Sequence, residues 1–215
     1  MRLISVSAGL PREVVSHGRR VLTSIWKRPV SGRVRVGRLN VAGDQQSDLT
    51  VHGGPEKAVY VYPSEHYEYW KSELPGTDLP WGAFGENFTT EGLLEQTVAI
   101  GDRLRVGSAE FLVTQPRVPC FKLAIRFSRD DMVKRFLQSG RSGFYVAVLR
   151  EGEVAAGDPI EVTQREEHGI TVADISALHR ADADNEALLR RAVEVRSLPE
   201  AWRTYFRKRL WESDV

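Results

Sequence analysis

The stretch RLRVGSAEFLVTQPRVPCFKL (residues 103–123) decides how the rest of the chain is read. Residues 103–106 and 110–114 are short runs rich in alternating, aromatic and β-branched side chains. Gly107-Ser108 between them is a hairpin signal. A central strand cannot continue through Pro116 and Pro119, because proline brings no N–H to a ladder. The two prolines turn the strand into a stiff loop. That loop carries the only cysteine of the chain, Cys120, between Arg117 and Lys122.

Outward from this hairpin the same pattern recurs. Residues 3–7, 33–36, 58–62, 144–149 and 160–163 are further strand-like runs, divided by Gly, Asp, Asn and Pro clusters. Many short strands with few helices imply a mainly-β fold, a closed or nearly closed and mostly antiparallel β-barrel with a few peripheral helices. Ser64 is placed to cap one such helix, carrying Tyr67, Trp70 and Leu74 and ended by Pro75-Gly76. Ser128 and Asp131 open another, with the apolar stripe Met132, Val133, Phe136 and Leu137 closed by Gly140.

Near residues 164–169 a polar, aperiodic stretch reads as a linker, and everything beyond it is helical. Thr171 with Asp174, then Asp184, then Ser197 with Glu200 mark three successive helix starts. The implied division is a barrel domain over residues 1–164 and a three-helix domain over 170–215. The apolar side chains Trp202, Phe206, Leu210 and Trp211 suit either covering the barrel or a homodimer contact.

Composition narrows the function classes. A chain of 215 residues with 41% apolar and 27% charged residues is an ordinary globular one. Its formal net charge of +1 gives no global reason to expect nucleic acid or an acidic membrane surface as partner. The first fifteen residues lack the basic flank and long apolar run of a signal peptide, and no stretch approaches a membrane span, so a cytoplasmic location is expected. One cysteine excludes an intramolecular disulfide, a CxxC pair and a four-cysteine cluster. Any role for Cys120 must therefore use a lone thiolate with other partners.

Four segments carry candidate chemistry. If the proline-stiffened loop curls, Arg117 and Lys122 approach the Cys120 sulfur and favour its thiolate, the form that attacks electrophiles and binds metals. Taken alone, the loop is equally compatible with a buried, inert cysteine. Residues 48–58, with His52, Gly53-Gly54-Pro55 and Lys57, form a tight turn whose amides would face an anion or cofactor. His52 would donate a hydrogen bond, ligate a metal or serve as an acid–base group, though a structural histidine explains it as well. Glu86 and Asn87 beside Gly85 either cap a turn or place the Asn87 amide against a heterocycle. Ser24 and Lys27, near Arg28 and Pro29, would satisfy a phosphate or form a solvated charge cluster. No Walker loop, dinucleotide turn or zinc spacing occurs.

In this order the four segments resemble the MOSC domain, the C-terminal module of molybdenum-cofactor sulfurases that also occurs alone. They are Ser24 to Val30, the Val51-His52-Gly53-Gly54-Pro55 turn with Lys57-Ala58, Phe84-Gly85-Glu86-Asn87, and Gln115-Pro116-Arg117 through Cys120 to Lys122. The chain is most similar to the stand-alone YiiM-like type, related to 6-N-hydroxylaminopurine resistance proteins, which carries a three-helix appendage. The resemblance implies a β-barrel with a molybdenum cofactor (molybdopterin with Mo) in a cleft, and Cys120 as the protein ligand to molybdenum beside two dithiolene sulfurs. It implies that Arg117, Lys122 and Lys27 neutralise the cofactor, and that Asn87, Glu86, Ser24, Gly53, Lys57 and His52 lie in its pocket.

Two functions follow from the resemblance. One is reduction of N-hydroxylated bases, hydroxylamines or amidoximes to amines or amidines, with His52 as proton donor. Because the chain has no dinucleotide fingerprint, this reaction would need a separate flavin or haem reductase as electron donor. The other is a non-catalytic sulfur carrier holding a persulfide on Cys120.

Overall fold

The computed structural model describes residues 1–47, 53–180 and 185–213. Strands β1 (Arg2–Ala8), β2 (Arg12–Ser16), β3 (Arg19–Thr23), β4 (Arg28–Pro29) and β5 (Val34–Val36) come first. A 3-10 turn, Pro55–Lys57, leads into β6 (Val59–Pro63), α1 (His66–Glu73) and β7 (Phe88–Glu91). The hairpin of β8 (Arg103–Val106) and β9 (Ala109–Pro116) is followed by α2 (Phe121–Phe127) and α3 (Met132–Ser139). Then come β10 (Phe144–Arg150), β11 (Gly152–Val154) and β12 (Ile160–Gln164), and finally α4 (Val172–His179), α5 (Glu186–Val193) and α6 (Glu200–Ser213).

The main sheet has eight strands in the order β12-β8-β9-β10-β6-β7-β1-β4. Its neighbours are antiparallel except β6 and β7, which run parallel and are joined by a crossover through α1. The expectation of a mainly-β barrel is corrected here. Closing the sheet would require a ladder between its end strands β12 and β4, and none forms. The segment entering β12 meets β1 instead, through an isolated bridge of Arg2 with Pro159 and backbone bonds such as Leu3 N to Asp158 O at 2.9 Å. The β4 end is blunted by its length of two residues and by Pro29, which has no N–H to offer a further strand. The fold is a mixed α/β arrangement, an open sheet accompanied by six α-helices among the described residues.

Two apolar clusters hold it together. The larger packs sheet residues such as Leu3, Val61, Phe111 and Phe144 against Ile175, Leu178, Leu189 and Phe206 of the last three helices. The second is aromatic, with Tyr62, Tyr67, Trp70, Phe84 and Phe136 gathered between the sheet, α1 and α3. Trp70 and Phe136 stack at 5.6 Å, and the Trp70 indole N–H donates to Tyr62 Oη at 2.7 Å. Each such buried ring contributes about 1.5–3 kcal/mol.

Local signals mostly act as expected, with shifts. Helix α1 begins at His66 with Glu65 at its N-cap and no side-chain cap, so Ser64 does not cap it. Helix α3 follows Asp131 and ends at Gly140 in the left-handed region, φ 67°. Thr171 and Asp174 form a reciprocal capping box on α4. The start expected at Asp184 lies outside the described residues, and Asn185 caps α5 through Leu188 N at 3.0 Å. Helix α2, directly after Cys120, is an element the sequence did not announce.

Candidate functional site

The prolines at 116 and 119 end β9 and turn the chain across the sheet edge, and Cys120 takes the N-cap position of α2 with extended backbone, φ −123° and ψ 174°. Cys120 is half-buried on the wall of an open cleft enclosing about 630 Å³, counted out to its mouth. The cleft brings together seven of the residues singled out in the sequence: Ser24, Lys27, Lys57, Asn87, Arg117, Cys120 and Lys122. Gly53 and Glu86 do not line it, and His52 lies outside the described residues.

Four cations and one carboxylate, Asp44, face this space. Lys27 is already matched, because its ammonium is bonded to Asp44 and both side chains are buried. Burial pushes the Lys27 pKa below the usual lysine range, against the pull of Asp44 and, less, of Glu86. Lys57 is pushed the same way by partial burial, opposed by Glu56.

Arg117 and Lys122 differ from these. They are only 7% and 8% exposed, and among the described residues neither forms an ion pair with a carboxylate. Lys122 donates to Ser47 Oγ at 2.9 Å. Arg117 reaches Tyr60 Oη at 3.4 Å, and its guanidinium lies over the rings of Tyr60 and Phe136 at 4.9 and 5.1 Å. Buried charge without a counter-charge is costly, so this pair is electrostatically prepared for an anion. Ser24 Oγ, also lining the cleft, is buried and has no hydrogen-bond partner among the described residues, so it is a further donor for an anion.

Asn87 proves to be a strut. Its Nδ2 donates to Ser7 O at 3.2 Å and to Asp44 Oδ2 at 2.9 Å, while its Oδ1 accepts from Tyr60 N at 3.1 Å. Both amide hydrogens are therefore spent inside the protein, tying β1, β6 and the Asp44 loop together. Glu86 sits behind this wall and accepts from Tyr67 Oη, Gly82 N at 2.7 Å, Phe84 N at 3.1 Å and Thr89 Oγ1 at 3.0 Å. Burial raises its carboxyl pKa in spite of these donors. Gly85 is required between them: its φ is +83°, and a Cβ there would come within 3.1 Å of Ile25.

Sequence reading missed Asp44, Ser47, Tyr60 and Tyr145. The two tyrosines form a ladder pair between β6 and β10, with ring centroids 5.3 Å apart, and present an aromatic wall to the cleft. Burial raises both phenols above their usual pKa, Tyr60 well above it, with Arg117 pulling the other way. Tyr60 Oη donates to Ser142 O at 2.8 Å. Among the described residues no group of three or more His, Cys, Asp or Glu is arranged to hold a metal ion, so the described chain offers a thiol and cations but no complete ligand set of its own.

Comparison with known proteins agrees with this arrangement. The MOSC domain family matches residues 48–161, and the YiiM-like 3-alpha helix domain family matches residues 170–211. YflK of Bacillus subtilis is 42% identical over 207 residues, which cover 96% of this chain and 93% of that protein. YiiM of Escherichia coli is 34% identical over 189 residues, covering 87% and 84%. The crystal structure of YiiM from Geobacillus stearothermophilus superposes with a TM-score of 0.81 at 36% identity, covering 97% of this chain and 98% of that one. The thiol, the buried cations and the trailing helices thus sit in one recognised framework, and the chain belongs to the MOSC domain family as a YiiM-like member with the 3-alpha helix domain.

Proposed function

We propose that this chain is a molybdenum-cofactor-binding reductase of small N-hydroxylated compounds: N-hydroxylated bases of the 6-N-hydroxylaminopurine type, hydroxylamines and amidoximes. The observation that carries the reading is the grouping of Cys120 with Arg117 and Lys122 in one cleft, two buried cations with no described carboxylate to neutralise them. The donor set fits an anionic, sulfur-bearing cofactor. When bound, that cofactor would supply redox chemistry and the additional sulfur ligands that a single-cysteine chain lacks.

In this reading the Cys120 thiolate would be the protein ligand to molybdenum, Arg117 and Lys122 would hold the anionic groups, and Ser24 Oγ would donate to a phosphate oxygen. The Lys27–Asp44 pair sets the wall and does not serve as a counter-ion. Tyr60 and Tyr145 give a flat substrate an aromatic surface and exclude water from one side. The overall reaction takes two electrons and two protons and converts the N–OH group to N–H and water. His52, outside the described residues, is the side chain that would deliver one of those protons. With no dinucleotide turn in the sequence, the electrons come from a separate flavin or haem reductase.

Elemental analysis of the full chain expressed with ample molybdate tests this directly. Stoichiometric molybdenum in the wild type and its loss in Cys120→Ala is the expected result. A persulfide on Cys120 without molybdenum would replace this reading with the sulfur-carrier one. Substrate reduction by the purified chain with NADH alone would remove the separate reductase.

A further inference from the structure

The wall that carries Cys120 is held from behind by the C-terminal helices. Trp202 of α6 is 9% exposed, and its indole N–H donates to Gln115 Oε1 at 2.8 Å, a buried bond across 87 residues of chain. Gln115, 4% exposed, is the last residue before the Pro116–Pro119 loop. Its other end, Nε2, lies 3.5 Å from Glu56 O, and the hydroxyl of the preceding Thr114 donates to the same carbonyl at 2.7 Å. Glu56 belongs to the 3-10 turn whose Lys57 faces the cleft. Behind the loop, a small gap is lined by Arg117, Pro119, His179 and Trp202.

We infer that Gln115, held by Trp202, is a positioning residue that sets the Cys120 loop and the Lys57 turn relative to one another. The inference rests on the reading of Cys120 as the working residue of the cleft. A polar pair in an apolar setting is the informative part, because an apolar pair of similar shape would fill the space without needing a directed bond. The bond fixes one orientation of the Gln115 amide, and that orientation points its other end at the opposite wall. In this way the helical unit governs the cleft without touching whatever occupies it.

Two variants of the full chain separate positioning from mere stability. Trp202→Phe keeps an aromatic ring and deletes the N–H. Gln115→Leu combined with Trp202→Phe removes both ends of the bond and leaves no buried polar atom stranded. Each is followed by its thermal midpoint and by the rate at which iodoacetamide alkylates Cys120 in protein grown without added molybdate. The chain has one cysteine, so the alkylation signal is unambiguous. Loss of an orienting partner changes behaviour at the oriented group by about 10–100-fold, and the lower end, about a tenfold faster alkylation from a loosened loop, is expected in both variants. The double variant is expected to regain the midpoint lost in Trp202→Phe while keeping the fast alkylation. An alkylation rate that stays at the wild-type value in Trp202→Phe, or that returns together with the midpoint in the double variant, overturns the inference. Because this readout needs no molybdenum, its failure is distinct from failure of the proposed reductase activity.

Discussion

At the scale of single residues, the cleft trades stability for binding. Lys122 is buried beside one hydroxyl and no described carboxylate, whereas Arg117 gains from the faces of two rings. Lys122→Met keeps the stem and removes the charge, so it is expected to raise the thermal midpoint of the chain stripped of bound anions, by up to about 1 kcal/mol. The same variant should retain less molybdenum. Arg117→Met loses ring contacts as well and is expected to lower the midpoint; scanning calorimetry of both variants checks the contrast. These two cations were legible because they stand within three residues of the only cysteine. Asp44 was not. Nothing in Gly43-Asp44-Gln45 indicates that its carboxylate folds onto Gly9 N, Lys27 and Asn87 at once. Nor does the sequence around Asn87 indicate that it also acts as a strut, in addition to lining the cleft as proposed.

At the scale of elements, the reliable signals were those closed by a hydrogen bond within four residues. The Thr171–Asp174 box is the clearest, with Thr171 Oγ1 accepting from Asp174 N at 3.1 Å and Asp174 Oδ2 accepting from Thr171 N at 2.9 Å. Thr171→Ala is expected to cost about 1 kcal/mol, read as a lower urea midpoint with unchanged slope. Helix α2 escaped because Phe121, Leu123, Ile125 and Phe127 fall on alternate positions, a strand-like period, behind a loop that the prolines already explained. The β2–β3 hairpin escaped for another reason. Its strands bury little on either face, Val15 and Leu22 being exposed, so no alternation marks it. Its turn, His17-Gly18 with φ of 50° and 72°, places a histidine beside a single glycine in the left-handed region and lacks the Asn-Gly or Asp-Gly signature of such turns.

At the scale of the whole molecule, seven of the twelve described strands were legible in the sequence, but their closure was not. Whether β12 meets β4 depends on twist and on what covers each edge, and neither is written in local pattern. The division into residues 1–164 and 170–215 is retained as a proposal about modules, since the last three helices share the larger apolar core with the sheet. Their attachment should be sensitive to acid. Burial first, and Arg209 second, hold the His179 pKa below 6.5, and among the described residues its buried Nδ1 has no hydrogen-bond partner. Between that lowered value and 6.5 the unfolded chain binds the extra proton, so this contribution is full above 6.5 and is lost as the pH falls through it. His179→Phe is therefore expected to narrow the difference between urea midpoints measured at about pH 7.5 and about pH 5.5, and an unchanged difference would count against His179 as its source. The sheet order carries one last consequence, for the growing chain. Strands β8, β9 and β10 are neighbours in both sequence and space, whereas β1 must wait for β7, and Leu3 N bonds to Asp158 O at 2.9 Å. On a ribosome the first strand emerges long before its last partner exists. The middle of the sheet can assemble as it is made, while the amino-terminal edge, and with it the Ser7 carbonyl that anchors Asn87, is completed only after most of the chain has been synthesised.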